Sequence, residues 1–381
     1  MAEWFEKSQK QALSLAKKMP FPQEHDSPIE KFYTNMSSLK LDEFEAAEAE
    51  VKIGKAAGRK IIISDLKSAL KEHGKLIEKK LGTLVKPEEH KLSALCAGTA
   101  GNGVFIYAPA GAQLDEPLLA EIVGSESGAL YASRTIIIAE KGSRVRYYEK
   151  RKSGEKSASL HLGTVEVFAE EGAQVSAYGM HNISGVSSDF TIKRARIGAG
   201  AKVDWFNAHF GARQATSTID SVFAGEGASG TNLTVFFNSG SQHCDISSNA
   251  LHEAPNTSSN MLSRGAVTDE ATSVYRGLIK IAKEAKNAQS YLTANALLLS
   301  ERARANSIPS LVIDTNEVHS KHGATVGHLD EEQLFYLMSR GLGKKLAEHT
   351  MVEGFFEHLL AKLEVQGIKG EMVEEVARRM G

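Results

Sequence analysis

The chain has 381 residues, 42% of them apolar and 24% charged, with a formal net charge of −2. Such a composition supports a large buried core, and the near-neutral charge gives nucleic acid or anionic lipid no electrostatic hold. Its two cysteines, Cys96 and Cys244, lie far apart and form neither a disulfide framework nor a C-x-x-C knuckle.

The N-terminal M-A-E-W-F-E-K-S-Q-K lacks the apolar run of a secretory signal, and no apolar stretch approaches the roughly 20 residues of a membrane span. A cytoplasmic protein with no membrane partner is expected. Residues 4–18 predict an amphipathic helix that stops at M-P-F-P, where two prolines forbid continuation. A second helix is predicted from Ser64 as N-cap.

From about residue 100, β-branched and aromatic runs such as V-F-I-Y and R-T-I-I-I-A alternate with glycine corners. The corners repeat: A-G-A-Q-L at Gly111, K-G-S-R-V at Gly142, E-G-A-Q-V at Gly172, A-G-A-K-V at Gly200 and E-G-A-S-G at Gly227, spaced 31, 30, 28 and 27 residues apart. Ala254 and Ala285 continue the period with alanine in the glycine's place. A helix-free repeat of this length, with two or three strands each, predicts the coils of a parallel β-helix. A β-sandwich is the alternative, but the repeated corners lack the N-G and D-G pairs that hairpins favour. Between Gly211 and Ser263 only Arg213, Asp220, Glu226, Asp245 and Glu253 are charged, as stacked strands with short polar corners require.

After Asp330 the pattern turns helical. Asp330 with Gln333 reads as a capping box, and Leu334, Phe335, Leu337 and Met338 form one apolar face ended by Arg340-Gly341. Two further helices are predicted, at about Lys344 to Leu363 and from Gly370. The fold class is mainly β: a helical region over 1–98, a right-handed parallel β-helix over 99–328 and a helical region over 329–381.

No P-loop, G-x-S-x-G or H-E-x-x-H is present. His243, Cys244 and Asp245, with His252 nearby, offer metal-ligand chemistry, but strand alternation sends Cys244 to the face opposite His243 and Asp245. In N-E-V-H-S-K-H-G-A-T the same alternation groups Val318, Ser320 and His322 against His319 and Lys321, with Gly323 free to turn or approach a neighbour. His322 is a candidate ligand or a structural histidine; His319 and His328 are read as structural or solvent-facing. A β-helix also suggests a polysaccharide lyase or hydrolase, whose groove of acids this acid-poor solenoid does not supply.

S-K-H-G-A-T-V-G-H-L-D-E-E-Q-L-F-Y-L-M-S-R-G (320–341), V-Y-R-G-L-I-K-I (274–281), A-L-L-L-S (296–300), P-S-L-V-I (309–313) and N-G-V-F-I-Y-A-P-A-G (102–111) resemble the SufB/SufD family of the Suf iron-sulfur cluster assembly system. The resemblance implies a parallel β-helix between helical ends and a non-enzymatic scaffold. Implied partners are a SufB-like subunit or a second copy of the chain, together with a SufC-like ABC-type ATPase. It is closest to SufD: Ala294 stands at the SufB cysteine and Gly323 at the SufB glutamate, while His322 matches the SufD histidine at the subunit interface. Ser320 replaces the cysteine of many SufD chains, leaving it an auxiliary position without a thiolate, and V-Y-R-G-L-I-K-I leans toward SufB usage. The resemblance assigns SufC docking to Leu334, Phe335, Leu337, Met338 and Arg340, and cluster assembly or metal binding to His322. No cofactor is expected to be stably bound by the isolated chain, the iron-sulfur cluster being transient in the complex. A homodimeric metal-binding scaffold and a carbohydrate-active enzyme are the competing readings.

Overall fold

Gly111, Gly142, Gly172, Gly200 and Gly227 all adopt left-handed backbone, with φ between 61° and 72°, in a computed structural model that describes residues 3–21, 34, 36, 39–55 and 60–380. Each ends a strand of one sheet and starts a strand of the sheet facing it, so a coil holds two strands. Ahead of the coils lie α1 (Glu3–Lys18), β1 (Glu45–Ala47), β2 (Glu50–Ile53), β3 (Ile62–Asp65), α2 (Leu66–Glu72), α3 (Gly74–Glu78) and α4 (Lys91–Thr99). The first sheet is built from β4 (Val104–Ala108), β6 (Ala129–Ala139), β8 (Leu160–Ala169), β10 (Ser188–Ile197), β12 (Gln214–Phe223), β14 (His243–His252), β16 (Thr272–Ile281) and β18 (Arg304–Ile313). The second takes β5 (Leu118–Gly124), β7 (Arg144–Ser153), β9 (Gln174–Ile183), β11 (Lys202–Gly211), β13 (Ser229–Asn238), β15 (Ser258–Val267), β17 (Ala288–Leu298) and β19 (Val318–His328). The chain closes with α5 (Glu331–Ser339), α6 (Lys344–Leu360) and α7 (Gln366–Met380).

The result is a parallel β-solenoid of about 8 turns with N-terminal and C-terminal helices. All coil-to-coil pairings are parallel and residue-matched, so like side chains stack. Tyr148, Tyr178, Phe206, Leu233 and Leu262 form one such column on the outer face of the second sheet. Alternate residues point inward, where Ile137, Val167, Val203 and Ile279 join one apolar core. The outer face of the first sheet is covered by the N-terminal elements, with Phe5, Leu66 and Leu70 against Ile136, Ile138 and Phe168. The outer face of the second is covered by α6 and α7, through Val352, Phe356, Leu359, Ile368 and Met372. Each such fully buried apolar side chain is worth roughly 1.5–3 kcal/mol.

Two local expectations are corrected. Asp65, not Ser64, caps α2, accepting from the Ser68 amide at 3.0 Å. The corner residues that follow Gly227 in register are Asn256 and Asn287, with φ of 58° and 59°, rather than Ala254 and Ala285. Asparagine tolerates left-handed backbone where alanine resists it, and the amide of Asn287 donates to Asn256 Oδ1 at 3.2 Å.

The ends of the solenoid differ. At the first coil β3 lies antiparallel on β4 and β2 antiparallel on β5, closing both sheets. At the last coil β18 and β19 are terminal in their sheets, with no strand beyond either among the described residues.

At Gly142 an added Cβ meets nothing within 4 Å, so substitution there tests the backbone alone. Gly142→Ala is expected to cost about 1–2 kcal/mol and Gly142→Asn clearly less; equal losses in urea unfolding would contradict the corner geometry. Burial holds the imidazoles of His161 and His252 down to about 4 from an ordinary 6.5. The unfolded chain therefore binds protons near pH 6.5 that the folded chain refuses until about pH 4. Stability from these groups is complete above 6.5 and declines as pH falls, by up to roughly 1.4 kcal/mol per pH unit per histidine. Thermal midpoints measured from pH 7.5 to 4.5 should fall in that window; a flat profile would show that both rings titrate freely.

Candidate interface at the open end of the solenoid

The pairing of β19 with β17 sets Ser320 over Ser290, His322 over Leu292 and Ala324 over Ala294. Ser290, Leu292 and Ala294 are buried inward-facing residues, so Ser320, His322, Ala324 and Val326 lie on the inward side of the last coil, where no further coil covers them. On β18 the same holds for Leu311 and Ile313, which sit over the buried Ile279 and Ile281. The outcome is an exposed apolar rim of Leu311, Ile313 and Val326 with His322 among them, bounded by two strand edges whose outer N–H and C=O groups have no ladder partner.

A column of hydroxyls reaches this end from inside. His252 bonds Thr257 Oγ1 at 2.8 Å and Ser259 Oγ at 3.0 Å, and Ser259 Oγ lies 2.6 Å from Ser290 Oγ. Ser320 continues the column, and its buried Oγ has no hydrogen-bond partner among the described residues. Gly323 has ordinary backbone, and an added Cβ there would meet nothing within 4 Å. The missing side chain is thus not a demand of the fold, contrary to the turn or close approach expected of it. His319 is exposed on the outer side of β19, and His328 Nδ1 lies 3.2 Å from Leu298 O at the end of the strand.

Asp330 caps α5 by accepting from the Gln333 amide at 2.9 Å. No residue of α5 is buried. Phe335, Tyr336 and Met338 are 72%, 55% and 41% exposed, whereas Leu334 and Leu337 are half-buried. The helix therefore does not cap the solenoid. The Arg340 guanidinium stacks over Tyr336, 5.1 Å from the ring centroid. Leu346, at the start of α6, extends the exposed apolar surface.

The His243 segment separates as strand alternation requires. His243 lies 2.9 Å from Thr34 Oγ1 and 2.7 Å from Thr272 Oγ1, Asp245 accepts from Thr34 and Arg276, and Cys244 faces the interior. These side chains are satisfied structurally and do not converge. Both cysteines are buried; burial pushes the Cys96 thiol up to about 11 and the Cys244 thiol higher still. Neither supplies a thiolate near neutral pH. Among the described residues no helix is long and apolar enough to cross a membrane.

The family model described as SUF system FeS cluster assembly, SufBD core domain, matches residues 122–355, which take in the solenoid from β5 onward, the open end, α5 and most of α6. An iron-sulfur cluster assembly SufBD family protein of Staphylococcus saprophyticus is 32% identical over 308 residues, covering 80% of this chain and 66% of the relative. Counterparts in Staphylococcus epidermidis and Staphylococcus aureus strain USA300 are each 31% identical over the same length and coverage. The match thus spans about two thirds of each relative's own length. On the family match, which takes in more than half of its residues, the chain belongs to the SufBD family of iron-sulfur cluster assembly proteins.

Proposed function

We propose that the chain is a SufD-like scaffold subunit that pairs through its open end with a SufB-like subunit, or with a second copy of itself, and presents His322 where iron and sulfide are assembled. The observation that carries this reading is the end itself: two unpaired strand edges around an apolar rim, with an exposed imidazole on the inward side. Such edges are normally covered, and joining another solenoid end-on covers edges and rim together. Neutral imidazole is a competent ligand for iron and a proton carrier near neutral pH. The buried, protonated state of both thiols supports a role in which a partner supplies thiolates, as iron-sulfur clusters are usually held by about four. The cluster is then cargo of the complex, in the cytoplasm, and the chain itself catalyses no reaction.

We assign docking of a SufC-like ATPase to the exposed face of α5, with Phe335, Met338 and Arg340 foremost and Leu334 and Leu337 anchoring the helix. ATP-driven movement of α5 reaches the assembly site through Leu329 and Asp330, the two residues that join it to β19.

His322→Ala should spare folding, costing at most about 1–2 kcal/mol, and lower the iron and sulfide content of the purified complex several-fold, while His319→Ala and His328→Ala leave it unchanged. Normal content in His322→Ala, or a loss explained by dissociation on a sizing column, returns this histidine to a structural role. For α5, Phe335→Glu with Met338→Glu is cleaner than removing residues 344–381, which would strip α6 and α7 from the second sheet. The double variant should keep its thermal midpoint and weaken ATPase binding at least tenfold, or about 1.4 kcal/mol; unaltered binding by calorimetry places the contact elsewhere.

A further inference from the structure

We propose that His181, Asp189 and His209 form a buried site for one first-row divalent metal ion, ferrous iron or zinc, inside the solenoid. His181 and His209 are directly paired in adjacent coils of the second sheet, and Asp189 reaches them from β10 across the interior. One ligand atom from each lies within 4.8 Å of the other two. All three residues are 2–3% exposed.

Hydrogen bonding within the group is incomplete. His181 Nδ1 lies 2.6 Å from Asp189 Oδ2, but His181 Nε2, Asp189 Oδ1 and both ring nitrogens of His209 have no hydrogen-bond partner among the described residues. A buried polar group without a partner is destabilising, and His209 has two such atoms. An ion that takes a nitrogen from each ring and a carboxylate oxygen relieves part of that deficit. Two imidazoles and one carboxylate suit iron(II) or zinc, with three protein ligands leaving further positions open. Burial, followed by the charges of Lys193 and Arg151, holds His181 well below its ordinary pKa, and burial with His181 and Lys193 does the same to His209, so both rings offer lone pairs.

The surrounding charges set the rest of the coordination. Arg151 Nε lies 3.8 Å from Asp189 Oδ1, Lys193 Nζ donates to Asn207 Oδ1 at 2.8 Å, and Glu149 accepts from Thr135 and Tyr147. Two cations and two carboxylates balance before the metal arrives, so the ion brings surplus positive charge. A small anion such as hydroxide in an open position, beside Arg151 and Lys193, offsets part of it. No thiolate joins the group, so it fits a single ion and not an iron-sulfur cluster. It lies in the third and fourth coils, far along the solenoid from His322 in the last, and stands independently of the function proposed for that end.

The test is metal content of the whole chain, purified without chelator and also refolded anaerobically with iron(II), zinc(II) or cobalt(II) alone. The expected result is about one ion per chain, with the visible absorption of a cobalt ion bound to nitrogen and oxygen. His181→Asn with His209→Asn should reduce it at least tenfold at unchanged circular dichroism, and His319→Ala should leave it intact. His252→Asn removes a buried histidine of the sixth coil, bonded only to Thr257 and Ser259, and controls for general loss of packing. Less than a tenth of an ion per chain under both loading conditions would overturn the site and leave a hydrated histidine ladder. So would full content in the His181/His209 variant, or equal loss in the His252 control.

Discussion

Residue-matched parallel stacking is the constraint from which the rest of the structure follows. Once Gly111, Gly142, Gly172, Gly200 and Gly227 turn the chain at the same point of each coil, every side chain sits on its equivalent one coil earlier. An inward position is then inward in all coils, and a column such as Tyr148, Tyr178, Phe206 and Leu233 builds a continuous apolar wall to which a helix can dock. Parallel sheets covered on both faces read as unbroken buried runs, as β6 and β8 do. The stack needs two ends, and the chain spends β2 and β3 on closing only one of them.

The interior is not purely apolar. Glu149, Arg151, Asp189, Lys193 and Asn207 occupy inward positions in the early coils, held by partners such as Thr135, Tyr147 and Ser133. An apolar filling would avoid the desolvation of those charges. The coil corners that hold Ala173, Ala201 and Ala228 are apolar and belong to the buried core.

Much of this was legible in the sequence. The glycine corners predicted the solenoid and its period, proline and the Asp330 cap predicted the bounds of the first and fifth helices, and alternation separated Cys244 from its neighbours. The period misassigned Ala254 and Ala285, because glycine was followed as a letter and not as a left-handed conformation that Asn256 and Asn287 also adopt. His181 and His209 are 28 residues apart, the same interval as Gly172 and Gly200, so their stacking was readable from the repeat. Asp189 was not, since its approach depends on the width between two sheets. The exposure of α5 was equally hidden: its apolar pattern matches that of a buried helix, and only the docking of α6 and α7 elsewhere leaves it uncovered.

The path of α6 and α7 has a mechanical consequence. A solenoid whose coils touch only their neighbours behaves as a one-dimensional stack and can fray from either end. Here the chain leaves the last coil, runs back over the second sheet and ties itself to early coils, where Glu371 accepts from Tyr148 and Lys150 and Arg379 donates to Asn182 Oδ1. Arg264, midway along, donates to the Phe355 carbonyl. Peeling β19 away therefore pulls on a strap anchored near the opposite end, and a load applied at α5 is shared along the whole stack instead of unzipping it coil by coil.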